Sequence, residues 1–445
     1  VKFYLYLALF FLPTTSWSTT LDKDGWLAFG ELRGYFEPCG CDPDADLGGV
    51  ERIGGFLERE RALAKSLHLY NLGNNIPVEY KVHAYKIPFI LRAMESFAVD
   101  AYLVNELEYR HFSDSKDRLP NLPLVLSNQK SRSARFALSI EKAKQQIFGF
   151  VSPSKLAGLE AANDALIQQW RANGKKDKER VLLFSGSQEE LEFFVRARFF
   201  DLIISANPHS LDTIVALQEK ENESLLQRPV SGAQVLVAPL GGQGVIRGGV
   251  LQYQQAPLLK DLFKTESSGE IGFRKTSIVT WLDKNYMGLT KKLDLLSADY
   301  AKAGRDLYAI KETQKKAALK NSKYVGVEAC SGCHDQAVKI WKQSKHAGAM
   351  ATLKKVNQDK NPECVACHVV GYDAEGGFAS MKSSPHLANV QCENCHGPRK
   401  DHIDHPTKKG DLVDAKKVCV ECHQGNHSPN FEYKKYWDLI KHDGK

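Results

Sequence analysis

The 445-residue chain has no apolar run long enough to cross a bilayer, little net charge, and almost no cysteine over its first 320 positions. A membrane helix needs about 20 consecutive apolar residues. The run 3–12 is half that length, so the sequence does not describe a polytopic membrane protein. Hydrophobic residues at 43% and charged residues at 25% are those of an ordinary globular protein, and the length suggests two or three domains. Lys+Arg 60 against Asp+Glu 53 leaves only +7. Before residue 321 the only cysteines are Cys39 and Cys41; eight of the ten Cys and ten of the fourteen His lie in the last 125 residues.

Lys2, the apolar run 3–12 and Ser16-Trp17-Ser18 read as an export signal over residues 1–18, with small residues at −3 and −1 of a cut before Thr19. The expected location is the periplasm. An uncleaved anchor is the weaker reading, and no cysteine follows the run to carry a lipid.

Residues 19–283 alternate short β-rich runs (26–32, 67–72, 100–104, 122–126, 146–151, 181–184, 201–204, 234–238) with helical stretches (50–67, 88–97, 155–170, 189–197). Two further alternating runs, 244–254 and 270–282, read as paired antiparallel strands. An α/β layered sandwich is the expectation. Leu289, Leu293, Leu296, Tyr300, Ala303, Leu307 and Ile310 then form a heptad seam within 284–320. It predicts a connecting helix that packs on its own chain, because three heptads are marginal for a dimeric coiled coil. From residue 321 to 445 strand patterns vanish and Gly, Pro, His and Cys take over, in a mainly α region.

That last region holds Cys330-Ser-Gly-Cys333-His334, Cys364-Val-Ala-Cys367-His368, Cys392-Glu-Asn-Cys395-His396 and Cys419-Val-Glu-Cys422-His423. Chance would supply about 0.007 such matches. The spacing suits covalent haem c: two thiols add to the vinyl groups of one porphyrin, and the adjacent His becomes the proximal iron ligand. About 31 residues per motif are too few for separate apolar cores, so four haems would also be the filling. Zinc ribbons are the rival reading, but they do not explain a His after all four Cys pairs.

Six histidines remain as distal candidates: His346, His386, His402, His405, His427 and His442. His346 lies twelve residues beyond His334. If 336–353 is one helix, the two are about 18 Å apart along its axis and cannot share an iron, so His346 should serve another haem. His402, after a Gly-Pro turn, and His442, in an amphipathic segment, can be aimed inward. His405 and His427 read as solvated loop residues, and Met350 and Met381 as packing. The segments Tyr324-Val-Gly, Trp341-x-x-Ser344-x-His346, Val390-x-Cys392-Glu-x-Cys395-His396-Gly-Pro398 and Phe431-x-Tyr433-x-x-Tyr436-Trp437-x-x-Ile440-x-His442 resemble the tetrahaem cytochrome c554 family. The resemblance implies mostly bis-histidine haems stacked for electron hopping, with one iron open.

The first domain resembles the calcineurin-like metallophosphoesterases, within them the 5′-nucleotidases. Glu31-Leu-Arg33-Gly34, Gly48-Gly49-Val-x-Arg52, Leu72-Gly73-Asn74, Asn105-Glu106 and Ser205-Ala-Asn207-Pro-His209 stand where that family carries its motifs. Glu31, Arg33, Asn74 and Glu106 replace its metal ligands, Ser185-Gly186-Ser187 stands where another His is expected, and only Asn105 and His209 keep ligand types. Arg33 would set a fixed positive charge beside the cations. The resemblance therefore implies a catalytically inactive scaffold. For Cys39-Gly-Cys41 three readings stay open: a structural disulfide, a redox pair coupled to the haems, or a metal or partner contact.

The sequence thus reads as an exported tetrahaem cytochrome passing electrons between periplasmic redox proteins as donor and acceptor, with peripheral membrane association compatible. A haem enzyme acting on a small nitrogen or sulfur species and a residual phosphoesterase are the alternatives. Losing Lys2 with the leader and gaining eight propionates and four ferric charges takes the chain to about +2 oxidised and about −2 reduced. A basic surface for nucleic acid is therefore not expected.

Overall fold

A computed structural model describes residues 24–37, 48–63, 66–77, 83–114, 119–130, 135–205, 234–237, 244–252, 273–281, 291–407, 414–423, 428 and 430–442. The export signal, Cys39, Cys41, His209 and His427 lie outside them.

Two sheets build the first region. Strands β1 (Asp24–Phe29), β2 (Ser66–Asn71), β3 (Ala101–Leu103) and β4 (Leu124–Val125) run parallel, and β10 (Gly244–Gln252) and β11 (Phe273–Trp281) close one side antiparallel, in the order β11-β10-β1-β2-β3-β4. The second sheet is β5-β6-β7-β8-β9, from Ile140–Glu141, Gln145–Val151, Glu179–Ser185, Leu202–Ser205 and Gln234–Val237. Alternation along β6 sorts its two faces. Ile147 and Val151 join Val181, Leu183 and Ile204 in the core shared with the first sheet, while Phe148 and Phe150 face helices α4 (Asp164–Asn173) and α5 (Gln188–Ala197). Helices α1 (Val50–Leu63) and α2 (Ile87–Phe97) add Ile53, Phe56, Ile90 and Met94 to the first sheet's core. The architecture is a four-layer α/β sandwich, in agreement with the expected class.

Three local readings are corrected. The stretch 155–170 is helical only from Asp164; Gly158 sits at φ 83°, and its carbonyl accepts the Lys130 N–H at 3.1 Å, so the chain runs as a loop until Asn163 caps α4. Helix α3 (Glu106–Asp114) was not foreseen. The segment 336–353 is not one helix. Helix α7 (Asp335–Gln343) stops at Ser344, whose ψ of 157° is extended, and α8 (Ala349–Lys355) starts after a short 3₁₀ turn.

Helix α6 (Lys291–Lys316) ties the sandwich to the Cys/His-rich region. Its buried positions among the described residues are Leu293, Tyr300, Gly304 and Tyr308, whereas Leu295 is 72% and Ile310 54% exposed. The contact stripe thus drifts with the 3.6-residue period instead of following the 3.5-residue heptad seam through Ile310. Close approach is built in: a Cβ on Gly54 of α1 would stand 1.9 Å from Leu293 Cδ1. Tyr300 stacks on Phe36 at 4.3 Å between ring centroids. Beyond α6 follow α9 (Pro362–His368), α10 (Cys392–His396), α11 (Lys400–Asp404), α12 (Ala415–Cys422) and α13 (Tyr433–Trp437), and a small core of Met350, Val365, Val369, Phe378 and Leu387 draws on α8, α9 and the chain after α9.

Candidate haem cluster

Each Cys-x-x-Cys-His motif sits at a short helical turn, where positions i, i+3 and i+4 share one face. Cys364, Cys367 and His368 are on α9, capped by Asn361, whose side chain accepts the Glu363 N–H at 3.1 Å. Cys392, Cys395 and His396 are on α10, and Cys419 and Cys422 on α12 with His423 as its C-cap. Cys330 and Cys333 form a turn that leads into α7, with His334 as its N-cap.

The structure pairs three motif histidines with three of the distal candidates. Ring centroids lie 6.3 Å apart for His334 and His402, 6.1 Å for His346 and His423, and 5.9 Å for His396 and His442. Two iron–nitrogen bonds of about 2.0 Å plus the half-widths of two imidazoles span about 6.3 Å, so all three pairs fit an axial pair on one haem iron. The remaining motif histidine, His368 of the second motif, has its Nδ1 2.7 Å from the Ala349 carbonyl oxygen. A donated Nδ1–H there leaves Nε2 as the ligating nitrogen. Among the described residues no histidine ring faces it.

Electrostatics favour the ligating, neutral form. Burial, then the neighbouring His423 and His368, lowers the pKa of His346; burial, then His442, Arg399 and His334, lowers that of His396; burial lowers that of His423. His423 is further fixed by the ring of Phe431, stacked at 5.0 Å.

The other candidates lie elsewhere. His405 is exposed, its Nδ1 3.1 Å from Asp401. His386 is exposed on a 3₁₀ turn. Met350 is buried in the small apolar core and Met381 packs at its edge.

The attachment thiols also have an order. Cys330 lies close enough to Cys392 to perturb its ionisation, as Cys367 does to Cys422 and Cys419 to Cys395. The motifs therefore adjoin in the sequence second, fourth, third, first.

Sequence reading missed the residues that lock this arrangement. Glu393, inside the third motif, accepts the N–H groups of Val325 at 3.0 Å, Gly326 at 2.8 Å and Arg399 at 2.9 Å. Gln391 accepts that of Val327 at 2.6 Å. An acid inside the third motif, Cys392-Glu393-Asn394-Cys395, was the available signal.

In the sandwich, the positions matched to phosphoesterase motifs gather at the carboxyl ends of β1 to β3. Glu31 accepts from Asn74 Nδ2 at 2.8 Å and pairs with Arg33 at 3.0 Å. Glu31, Arg33 and Asn74 all have positive φ, at 58°, 48° and 53°. Glu108, which burial pushes toward its neutral form, accepts the N–H groups of Asn74 and Asn75, each at 2.7 Å. Asn105 donates to the Leu72 carbonyl, Glu106 pairs with Arg110, and Ser185 accepts from Lys155. Among the described residues no group of three or more His, Cys, Asp or Glu is placed to hold a metal ion, and no helix is long and apolar enough to cross a membrane.

Residues 329–397 match the family model described as cytochrome c554 and c-prime. An alignment of 104 positions, covering 20% of this chain, is 34% identical to cytochrome c-554 of Nitrosomonas europaea and spans 43% of that protein, less than half its length. Covalent haem c is the cofactor that the four motifs and this match support. Among solved structures, a 5′-nucleotidase precursor from Thermus thermophilus is similar over 62% of this chain and 58% of its own, at 15% identity and a TM-score of 0.44. The calcineurin-like phosphoesterase YfkN of Bacillus subtilis is similar over 62% of this chain and 96% of its own, at 16% identity and a TM-score of 0.41.

Proposed function

We propose that the chain is an exported multihaem c-type cytochrome that carries electrons between periplasmic redox partners, with the α/β sandwich as a platform that no longer hydrolyses phosphoesters. The observation that carries this is the facing of three motif histidines by His402, His423's partner His346, and His442. Each haem, when bound, supplies a one-electron site. The residues hold these sites: Cys330 and Cys333, Cys364 and Cys367, Cys392 and Cys395, and Cys419 and Cys422 as covalent anchors, and His334, His368, His396 and His423 as proximal ligands. His346, His402 and His442 complete three axial pairs. Haems bound at these anchors would neighbour one another in the order second, fourth, third, first, with the α9 site at the end beside the sandwich. Intact mass and a reduced optical spectrum of exported protein test the reading. Four covalent haems with split α-bands are expected, and an apo mass from a haem-competent host overturns it.

A second reading has its own observation. His368 faces no second imidazole among the described residues, so its iron can keep one axial position open to a small nitrogen or sulfur species. Such an enzyme requires a high-spin ferric signal in frozen solution, and its absence ends that alternative.

A further inference from the structure

The carboxylate of Glu363, the residue just before Cys364 on α9, is held by three donors from outside its own region. Lys86 Nζ lies 2.5 Å from Oε2, and the Tyr85 and Tyr300 hydroxyls donate to Oε1 at 2.7 and 2.9 Å. Lys86 and Tyr85 belong to a 3₁₀ turn (Ala84–Lys86) of the sandwich, and Tyr300 to α6. The ammonium also donates to the Gly34 carbonyl at 2.9 Å, and the Lys86 side chain is 6% exposed. Burial works against ionisation of Glu363, but the Lys86 charge and the three hydrogen bonds outweigh it and lower its pKa.

A buried ion pair is weak evidence for stability, since desolvation cancels much of its attraction. Apolar side chains would join two regions at lower cost. What an ion pair adds is a fixed charge arrangement, and charge beside a haem is one of the protein's means of setting its potential.

We infer that Lys86 is a positioning residue for electron transfer: by neutralising Glu363 at the start of α9, it sets the potential of the haem anchored at Cys364 and Cys367. The inference rests on the reading of α9 as a haem site. It gives the sandwich a function toward the cytochrome region that needs no phosphoester chemistry.

The test is a redox titration of holoprotein, followed optically and by frozen-solution electron paramagnetic resonance, for wild type, Lys86→Met and the double variant Lys86→Met/Glu363→Gln. In Lys86→Met the uncompensated carboxylate favours the ferric form. One of four components, that of the His368 iron, should shift about tenfold toward oxidised, about 59 mV lower for one electron. The double variant, again neutral, should return to the wild-type midpoint. Unmoved midpoints in Lys86→Met, an equal shift of all four, or a double variant that keeps the single variant's shift would each overturn the inference. The last two would show general loosening of the junction. Intact mass separates the two levels: fewer than four haems in wild type defeats the haem reading itself.

Discussion

Glu393 reaches from the third haem motif to the backbone N–H of Gly326, 2.8 Å away, and so pins the turn before the first motif. Gly326 sits at φ 77°, and a Cβ there would stand 2.7 Å from the His386 carbonyl oxygen, so the contact is both bonded and sterically closed. Replacing Glu393 by Ala strands the N–H groups of Val325, Gly326 and Arg399. A buried charge-assisted set of this kind is worth about 2–4 kcal/mol. The expected outcome is a lowered guanidinium midpoint for the holoprotein with the haem count unchanged by mass.

Axial pairing predicts spin states. Wild-type ferric protein should give three low-spin components and one high-spin component from the His368 iron. His346→Ala should convert one low-spin component to high-spin, leaving two of each, because His423 loses its facing ring. His405→Ala should leave the spectrum as in wild type, since among the described residues His405 bonds only to Asp401.

Acid stability of the sandwich should depend on Asp100. Burial alone would raise its pKa, but His68, the Leu69 N–H at 2.9 Å and Lys142 at 3.0 Å outweigh it and bring it down to about 2 from 3.8. A depressed carboxyl contributes stability that is present above its unfolded pKa and lost as pH falls through the folded one. Asp100→Asn should therefore cost about 2 kcal/mol near neutrality, and the deficit should close between about pH 4 and pH 2. Denaturant midpoints measured across that range check the sign and the window.

The Glu31–Arg33 pair predicts indifference to metal. With Glu31 engaged by Arg33 and Asn74, added Mn²⁺ or Zn²⁺ should neither raise the melting temperature nor produce nucleotide hydrolysis. Turnover dependent on either ion would restore the phosphoesterase reading.

What could be read in the sequence was what is local. The strand read at 146–151 shows itself as a short β-rich apolar run, and the haem motifs by spacing within one helical turn. The helix expected over 155–170 failed because Gly158 takes a left-handed conformation only the surrounding loop explains. The heptad seam failed at Ile310 because a straight helix drifts off a seven-residue repeat. Pairing of His346 with His423, or of Lys86 with Glu363, is set by how distant segments pack, and no periodicity in either segment carries it. The distal candidates could be named, but their partners could not.

The break at Ser344 turns His346 away from the line of α7 and toward His423. On the proposed ligation, one short stretch would hold the first iron through His334 and the fourth through His346. Joining the earliest motif to the latest closes a long loop, and closure entropy rises only slowly with loop length. Such coordination would act as a cross-link, much as disulfides do in small secreted folds. On that ligation the haem region would be tied end to end, from its first motif to its last.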